Sequence, residues 1–84
     1  MNSPPVKIYS LSTCSHCKDT KRLLKECSVD YDFVDVDLLE KKDLAAVIEE
    51  IRKINPRCSF PTIVIGDKVV VGYDEDEIRE ALGL

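Results

Sequence analysis

The feature that most constrains the fold of this chain is a cysteine pair, Cys14 and Cys17, that separates a strand-forming segment from a helical one. Residues 6–9 alternate and are rich in strand formers, and the serine and threonine cluster at 10–13 interrupts that pattern. From residue 15 to residue 27 the less polar side chains recur at three- and four-residue steps, which is typical of an amphipathic helix. The sequence therefore predicts a strand, a turn that carries Cys14, and a helix that begins at the cysteine pair.

The middle of the chain predicts a second strand and a second helix. Residues 31–36 have the composition of a strand. Asp43 is placed to cap a helix whose apolar side chains, within residues 44–54, follow the helical period. We expect this helix to end at Asn55-Pro56, because proline cannot continue it.

The last third of the chain predicts a hairpin and a final helix. Residues 62–65 and 68–71 are strand formers on either side of Gly66-Asp67, a pair suited to a tight turn. The acidic run at 74–77 favours the positive end of a helix dipole, and Gly83 is a residue at which helices commonly end.

Together these elements predict an α/β fold in the order βαβαββα. The first two strands are joined by a helical crossover and should be parallel, whereas the last two form an antiparallel hairpin. We therefore expect one four-stranded mixed sheet flanked by three helices. A chain of 84 residues supports a single hydrophobic core, so residues 1–84 are predicted to form one domain.

Composition excludes several classes of partner. The formal net charge of −4 gives the chain no overall basic field with which to attract nucleic acid. No apolar run approaches the roughly 18 residues of a membrane span, and residues 1–5 lack the features of a secretory signal. We expect a cytoplasmic monomer that binds neither nucleic acid nor membranes. In that reducing compartment, paired cysteines are more often catalytic or metal-binding than structural.

The cysteine pair predicts thiol–disulfide chemistry. Only a thiolate attacks a disulfide, and the unpaired N–H groups at the start of a helix favour negative charge on Cys14. Cys17 lies about one helical turn further on, on the same side, so we predict that Cys14 attacks and that Cys17, the more buried thiol, resolves the mixed disulfide. Ser15 and His16 lie between them. The His16 imidazole either makes the disulfide more oxidising or is an exposed side chain with a modest effect.

A zinc site is the alternative interpretation of the cysteine pair. Tetrahedral zinc needs four ligands, and beyond Cys14 and Cys17 the candidates are His16, Cys27 and Cys58. Their spacing fits no standard zinc template, so we predict no metal site. We expect Cys27 to be a small buried hydrophobic residue on the first helix. For Cys58, two interpretations stay open: packing beneath its loop, or alternative disulfides near the active site.

Four segments together resemble the glutaredoxins, small members of the thioredoxin-fold superfamily. Their order and spacing match over nearly the whole chain. The segments are Val6-Lys7-Ile8-Tyr9-Ser10, Cys14-Ser15-His16-Cys17, Ser59-Phe60-Pro61-Thr62-Ile63 and Gly72-Tyr73-Asp74-Glu75. The resemblance implies a dithiol oxidoreductase of thioredoxin-like fold that reduces protein disulfides or mixed disulfides with glutathione.

The resemblance also implies a substrate-binding surface. It implies a cis peptide bond between Phe60 and Pro61, which would turn the backbone of Phe60 outward so that an extended substrate can pair with it. It further implies that the start of the last helix holds the γ-glutamyl end of glutathione, while a cation near the proline would suit the glycine carboxylate. The predicted binding residues are Thr13, Arg57, Phe60, Pro61, Gly72, Tyr73 and Asp74.

The chain departs from the family pattern near this surface. Val71 stands where the family often has a glycine, and Glu75 stands where an aspartate is common. Leu11 replaces a frequent lysine, and Ser15-His16 replaces the usual proline–aromatic pair. Glutathione is the expected co-substrate, and these departures leave the electron source open between glutathione and thioredoxin reductase.

A function from another class is also open. Some glutaredoxins carry an iron–sulfur cluster on the first cysteine, so an iron–sulfur or zinc carrier that uses Cys14 is the alternative. Cys17 argues against it, because an internal disulfide would compete with the metal. We therefore predict no bound cofactor and expect disulfide-containing proteins as partners.

Overall fold

Within residues 4–84, which the computed structural model describes, four strands and three α-helices follow one another in the predicted βαβαββα order. The strands are β1 (Val6–Ser10), β2 (Asp32–Asp35), β3 (Thr62–Ile65) and β4 (Lys68–Val71). The helices are α1 (Ser15–Glu26), α2 (Lys41–Ile54) and α3 (Glu75–Leu82), and a short 3₁₀ helix, Val36–Leu38, follows β2. The predicted fold class is confirmed.

Two sequence predictions extend beyond this part of the chain. The single domain predicted over residues 1–84 and the expectation that residues 1–5 hold no secretory signal both include residues 1–3, which lie outside the described residues. None of the helices in the described part of the chain combines the length and the apolar character that crossing a membrane requires.

The strands form a mixed sheet in the order β2-β1-β3-β4. β1 pairs in parallel with β2, so that Ser10 lies opposite Asp35, and it pairs antiparallel with β3. β3 and β4 form the predicted hairpin, in which Thr62 lies opposite Val71. The ends of β1, β2 and β4 therefore meet the start of β3 at one end of the sheet, where the turn with Cys14 follows β1.

The sheet separates two hydrophobic clusters. Successive side chains of a strand point to opposite faces, so Ile8 belongs to the larger cluster and the neighbouring Tyr9 to the smaller one. Helices α1 and α3 cover the face of the larger cluster, and α2 covers the other face with Ile51. The buried residues of the larger cluster are Val6, Ile8, Leu23, Leu24, Ile63, Ile65, Val70 and Ile78.

The predicted start of α2 and both predicted ends of β2 are wrong. Helix α2 has Glu40 rather than Asp43 as its N-cap residue, because the amide of Leu44 already donates to the carbonyl of Glu40 at 2.8 Å. Asp43 lies in the first turn instead, where a carboxylate still favours the helix dipole. The second strand spans residues 32–35 rather than 31–36, because the chain turns into the 3₁₀ helix and buries Val36 there.

Candidate active site at the cysteine pair

Cys14 is the N-cap residue of α1, and its sulfur performs the capping. The backbone of Cys14 is extended, with φ −83° and ψ 121°, and its Sγ accepts a hydrogen bond from the backbone N–H of Cys17 at 3.4 Å. The amide of Cys14 donates to the carbonyl of Leu11 at 3.1 Å, which closes the turn between β1 and α1. The half-buried sulfur therefore stands at the helix start, among N–H groups that have no partner within the helix.

This position favours the thiolate of Cys14. Partial burial acts to raise the pKa of Cys14, but hydrogen bonds from the Cys17 thiol and from the amides of Cys17 and His16 outweigh it, and the pKa is lowered. The charge of Asp19 acts weakly in the opposite direction. Since the thiolate is the nucleophile, Cys14 is the better attacking sulfur of the pair.

Cys17 has the opposite properties. Its side chain is fully buried, and burial together with its interaction with Cys14 raises the pKa of Cys17 to about 11. The backbone amide of Leu11 and the charge of Lys21 act to lower that pKa. The two thiols, three residues apart, thus differ in how readily they lose a proton, as a division between attacking and resolving roles requires.

Ser15 and His16 form the exposed first turn of α1. The His16 carbonyl accepts a hydrogen bond from the buried Thr20 hydroxyl at 2.9 Å, which holds the turn against the body of the helix. Both side chains lie on the surface beside Cys14, where an approaching substrate would meet them. Thr13, in the turn before Cys14, is exposed as well.

The Phe60–Pro61 peptide bond is cis, as the resemblance implies. Pro61 is buried at the start of β3, and the half-buried Phe60 packs against the smaller cluster. The carbonyl of Pro61 accepts a hydrogen bond from the amide of Gly72 at 2.8 Å, which joins this loop to the end of β4. Arg57 is exposed in the same loop.

Buried Asn55 organises that loop, and sequence reasoning missed it. Its Nδ2 donates to Thr62 Oγ1 at 3.0 Å and to the hydroxyl and carbonyl of Ser59 at 3.2 and 3.3 Å, while its Oδ1 accepts the Arg57 amide at 3.2 Å. Thr62 Oγ1 in turn donates to the Ser59 carbonyl at 2.7 Å. The signal available in the sequence was an asparagine between the end of a helix and a proline, a position that favours side-chain bonds to the backbone.

The three residues predicted to hold the γ-glutamyl group have distinct environments. Gly72 has φ +82°, a conformation that glycine adopts readily. Tyr73 packs against the larger cluster, and its pKa is raised by partial burial and by the charges of Glu75 and Asp19. Asp74 caps α3, since its Oδ1 accepts the Glu77 amide at 3.1 Å. The Asp19 charge acts on both Tyr73 and Cys14, so this segment lies near the cysteine helix.

A carboxylate on the 3₁₀ helix holds the turn before Cys14, another contact that sequence reasoning missed. Asp37 accepts hydrogen bonds from the Ser12 amide at 2.9 Å and from the Ser12 hydroxyl at 2.5 Å. These bonds lower the pKa of the Asp37 carboxyl. Ser12 and Asp37 each lie two residues beyond the paired Ser10 and Asp35, so this contact extends the parallel register past the strands.

The other two cysteines lie in different surroundings. Cys27, the C-cap residue of α1, is half-buried and packs against the larger cluster. Cys58 has φ +51° and packs beneath its loop against the smaller cluster. All four cysteines are free thiols, and among residues 4–84 no group of three or more histidine, cysteine, aspartate or glutamate side chains could hold a metal ion.

Comparison with known proteins gives consistent matches. A family model described as Glutaredoxin matches residues 6–70. A Clostridium pasteurianum protein, named an uncharacterized glutaredoxin-like 8.6 kDa protein in the rubredoxin operon, is 38% identical over 77 residues, which are 92% of this chain and 96% of that protein. The crystal structure of Methanosarcina acetivorans methanoredoxin has a TM-score of 0.92 at 43% identity, and the match covers 98% of this chain and 87% of the methanoredoxin chain. The crystal structure of the glutaredoxin from Methanosarcina mazei Go1 has a TM-score of 0.89 at 46% identity, and the match covers 100% of this chain and 85% of that protein's chain.

Proposed function

Because the chain belongs to the glutaredoxin family, we propose that it is a dithiol thiol–disulfide oxidoreductase in which Cys14 attacks the substrate and Cys17 releases the product. Its architecture is the thioredoxin-like fold of that family. The observation that carries the proposal is the placement of the two sulfurs: Cys14 Sγ caps the start of α1 and accepts the Cys17 amide at 3.4 Å, whereas the Cys17 side chain is fully buried. The lowered pKa of Cys14 and the raised pKa of Cys17, about 11, agree with that placement.

The proposed reaction has two steps. The Cys14 thiolate attacks a substrate disulfide, forms a mixed disulfide and releases the first substrate thiolate, which takes a proton from solvent. Cys17 then loses its proton and attacks the Cys14 sulfur, which forms the Cys14–Cys17 disulfide and releases the second substrate thiol. The substrate disulfide gains two electrons and the protein dithiol loses them, so an external reductant must restore the dithiol.

The substrates that we propose are protein disulfides and mixed disulfides with glutathione, in the reducing cytoplasm where such dithiols operate. The loop at Phe60 and Pro61 supports an extended substrate, because β-strand addition uses outward-facing backbone groups beside a sheet. Glutathione would bind through Thr13, Arg57 and the residues that follow β4. The reductant is reduced glutathione or a thioredoxin reductase system.

A coupled reduction assay tests the proposal and identifies the reductant. One arm supplies glutathione with glutathione reductase, the other supplies thioredoxin reductase alone, and both follow NADPH consumption above the rate without this protein, with an insulin disulfide or a glutathione mixed disulfide as substrate. The arm that supports turnover names the electron source. Cys14→Ser is expected to abolish turnover in both arms, whereas Cys17→Ser is expected to accumulate a mixed disulfide on Cys14.

The same assay contains the results that contradict the proposal. Full reductase activity in Cys14→Ser would show that another sulfur attacks. No turnover in either arm, together with iron or zinc bound stoichiometrically to anaerobically purified protein, would instead support the metal-carrying alternative.

A further inference from the structure

Lys21 lies one helical turn beyond the resolving cysteine, and its ammonium group is held in place. Residues four apart on a helix are neighbours on its surface, so the Lys21 side chain starts beside Cys17. Its Nζ lies 3.1 Å from Asp35 Oδ1 and 4.0 Å from the centroid of the Phe33 ring, so both an ion pair and a cation–π contact fix it. The Lys21 side chain is 20% exposed, whereas Lys18 and Lys25 of the same helix are exposed residues.

Asp35 is fixed in turn by the strand beside it. The fully buried Ser10 donates its hydroxyl to the same Asp35 Oδ1 at 2.6 Å, and the side chain of Asp35 is only 17% exposed. Ser10 and Asp35 are opposite one another in the parallel pairing of β1 and β2. The lysine is therefore anchored to the sheet through a carboxylate whose position is set by strand register.

The resolving step requires Cys17 to become a thiolate in surroundings that oppose the charge. A fully buried thiol must lose its proton before it can attack, and burial opposes the charge that results. Three groups affect the pKa of the Cys17 thiol: the Leu11 amide and the Lys21 ammonium lower it, and the Cys14 thiol raises it. Asp35 holds the Lys21 ammonium through their ion pair. Of the three groups, Lys21 is the positively charged one.

We propose that Lys21, anchored by Asp35, is a positioning residue for resolution: its charge stabilises the Cys17 thiolate as that thiolate attacks the mixed disulfide on Cys14. This inference rests on the proposed function, since it assumes that Cys17 resolves. In the step, the Cys17 proton passes to solvent, the Cys17–Cys14 bond forms as the bond from Cys14 to the substrate sulfur breaks, and the substrate leaves as a thiolate. Lys21 exchanges no atom with the substrate.

The two steps can be timed separately with one equivalent of 5,5′-dithiobis(2-nitrobenzoate), acid quenching and intact-mass measurement. Attack by Cys14 gives a nitrothiobenzoate adduct. Resolution by Cys17 converts this adduct into the internal disulfide, whose mass is two hydrogens below that of the reduced chain. In Lys21→Met we expect adduct formation at the wild-type rate and resolution about threefold slower at pH 7, because a smaller fraction of Cys17 thiolate is only partly offset by the greater reactivity of the more basic sulfur.

The pH profile distinguishes this role from a structural one. Well below the Cys17 pKa of about 11 the rate ratio of wild type to Lys21→Met should be constant and above one, and between about pH 9 and pH 11 it should fall as the Cys17 thiolate forms in both proteins. Lys21→Arg should restore the wild-type profile. Lys25→Met, which removes the same charge from an exposed position one turn further along α1, should leave resolution unchanged.

Three results would overturn the inference. The first is a Lys21→Met variant that resolves at the wild-type rate at every pH. The second is a Lys21→Met variant whose resolution is slowed by the same factor at every pH. The third is a Lys25→Met variant whose resolution is slowed as much as that of Lys21→Met. A wild-type protein that forms the adduct but never the internal disulfide would instead contradict the proposed function, so the two failures are distinguishable.

Discussion

Replacing Asn55 with alanine tests whether one buried side chain holds the loop that precedes β3. Asn55 is 3% exposed, and its side chain takes part in four hydrogen bonds. Three of these are long, at 3.2 to 3.3 Å, so we count the side chain as about two full hydrogen bonds, or about 2 kcal/mol. The space left by truncation adds about 1 kcal/mol, for a total loss of about 3 kcal/mol.

Urea and thermal unfolding of the reduced protein measure this loss. For a domain of this size, about 3 kcal/mol corresponds to a fall in Tm of roughly 15 °C. Ser59→Ala removes only one of the long contacts and is expected to cost less than about 1 kcal/mol. Asn55→Asp keeps the size of the side chain but replaces its donors with acceptors, so it should destabilise the fold about as much as alanine does.

Two outcomes would refute this reasoning. If Asn55→Ala unfolds within about 0.5 kcal/mol of the wild type, the loop does not depend on the network. If Asn55→Asp is fully stable, the hydrogen-bond donors contribute nothing and packing alone positions the loop. The rate at which Cys14 reacts with iodoacetamide is a useful control, because loosening this loop leaves the start of α1 intact.

Two further predictions concern the turn that carries Cys14. In Cys17→Ala the pKa of Cys14, measured from the pH dependence of alkylation, should rise, because the Cys17 thiol that helps to lower it is gone; an unchanged midpoint would contradict that cause. The hydrogen bonds from Ser12 lower the pKa of Asp37 in the folded state, so the ionised Asp37 carboxylate stabilises the fold. That stabilisation is fully present above the ordinary carboxyl pKa of about 4, and it is lost as the pH falls through the lowered pKa of Asp37. In Asp37→Asn the free energy of unfolding should depend less on pH across that acidic range. If the variant keeps the wild-type pH dependence, the bonds between Asp37 and Ser12 are not its cause.

Local sequence patterns predict much of this fold because its elements carry local signals. The hairpin has the predicted bounds, since Gly66-Asp67 both interrupts the strand formers and fits the turn, where Gly66 has φ +61°. Helix α2 ends at Ile54, directly before the predicted Asn55-Pro56 stop, because Pro56 cannot continue it. The start of α2 was misplaced, because several polar residues there can precede a helix and the first backbone hydrogen bond decides among them.

The site was predicted less completely, and the gap has a physical cause. The roles that we propose for Cys14 and Cys17 follow from neighbours in sequence, since a helix start and one helical turn set their environments. The contacts of Asp37 with Ser12 and of Lys21 with Asp35 join residues separated by 25 and 14 positions. They depend on how β1 and β2 pair, which the composition of either strand does not specify.

The sulfur cap on α1 ties the redox potential of the protein to its folding. Reduction and unfolding form a thermodynamic cycle, so whatever the helix start contributes to the thiolate of Cys14 stabilises the reduced chain relative to the oxidised one. In such a cycle about 1.4 kcal/mol of differential stability corresponds to about 30 mV for a two-electron couple. A change that weakens the cap should therefore make the protein a stronger reductant and, at the same time, lower the stability of its reduced form. The difference between the melting temperatures of the reduced and oxidised forms would then report changes in the redox potential.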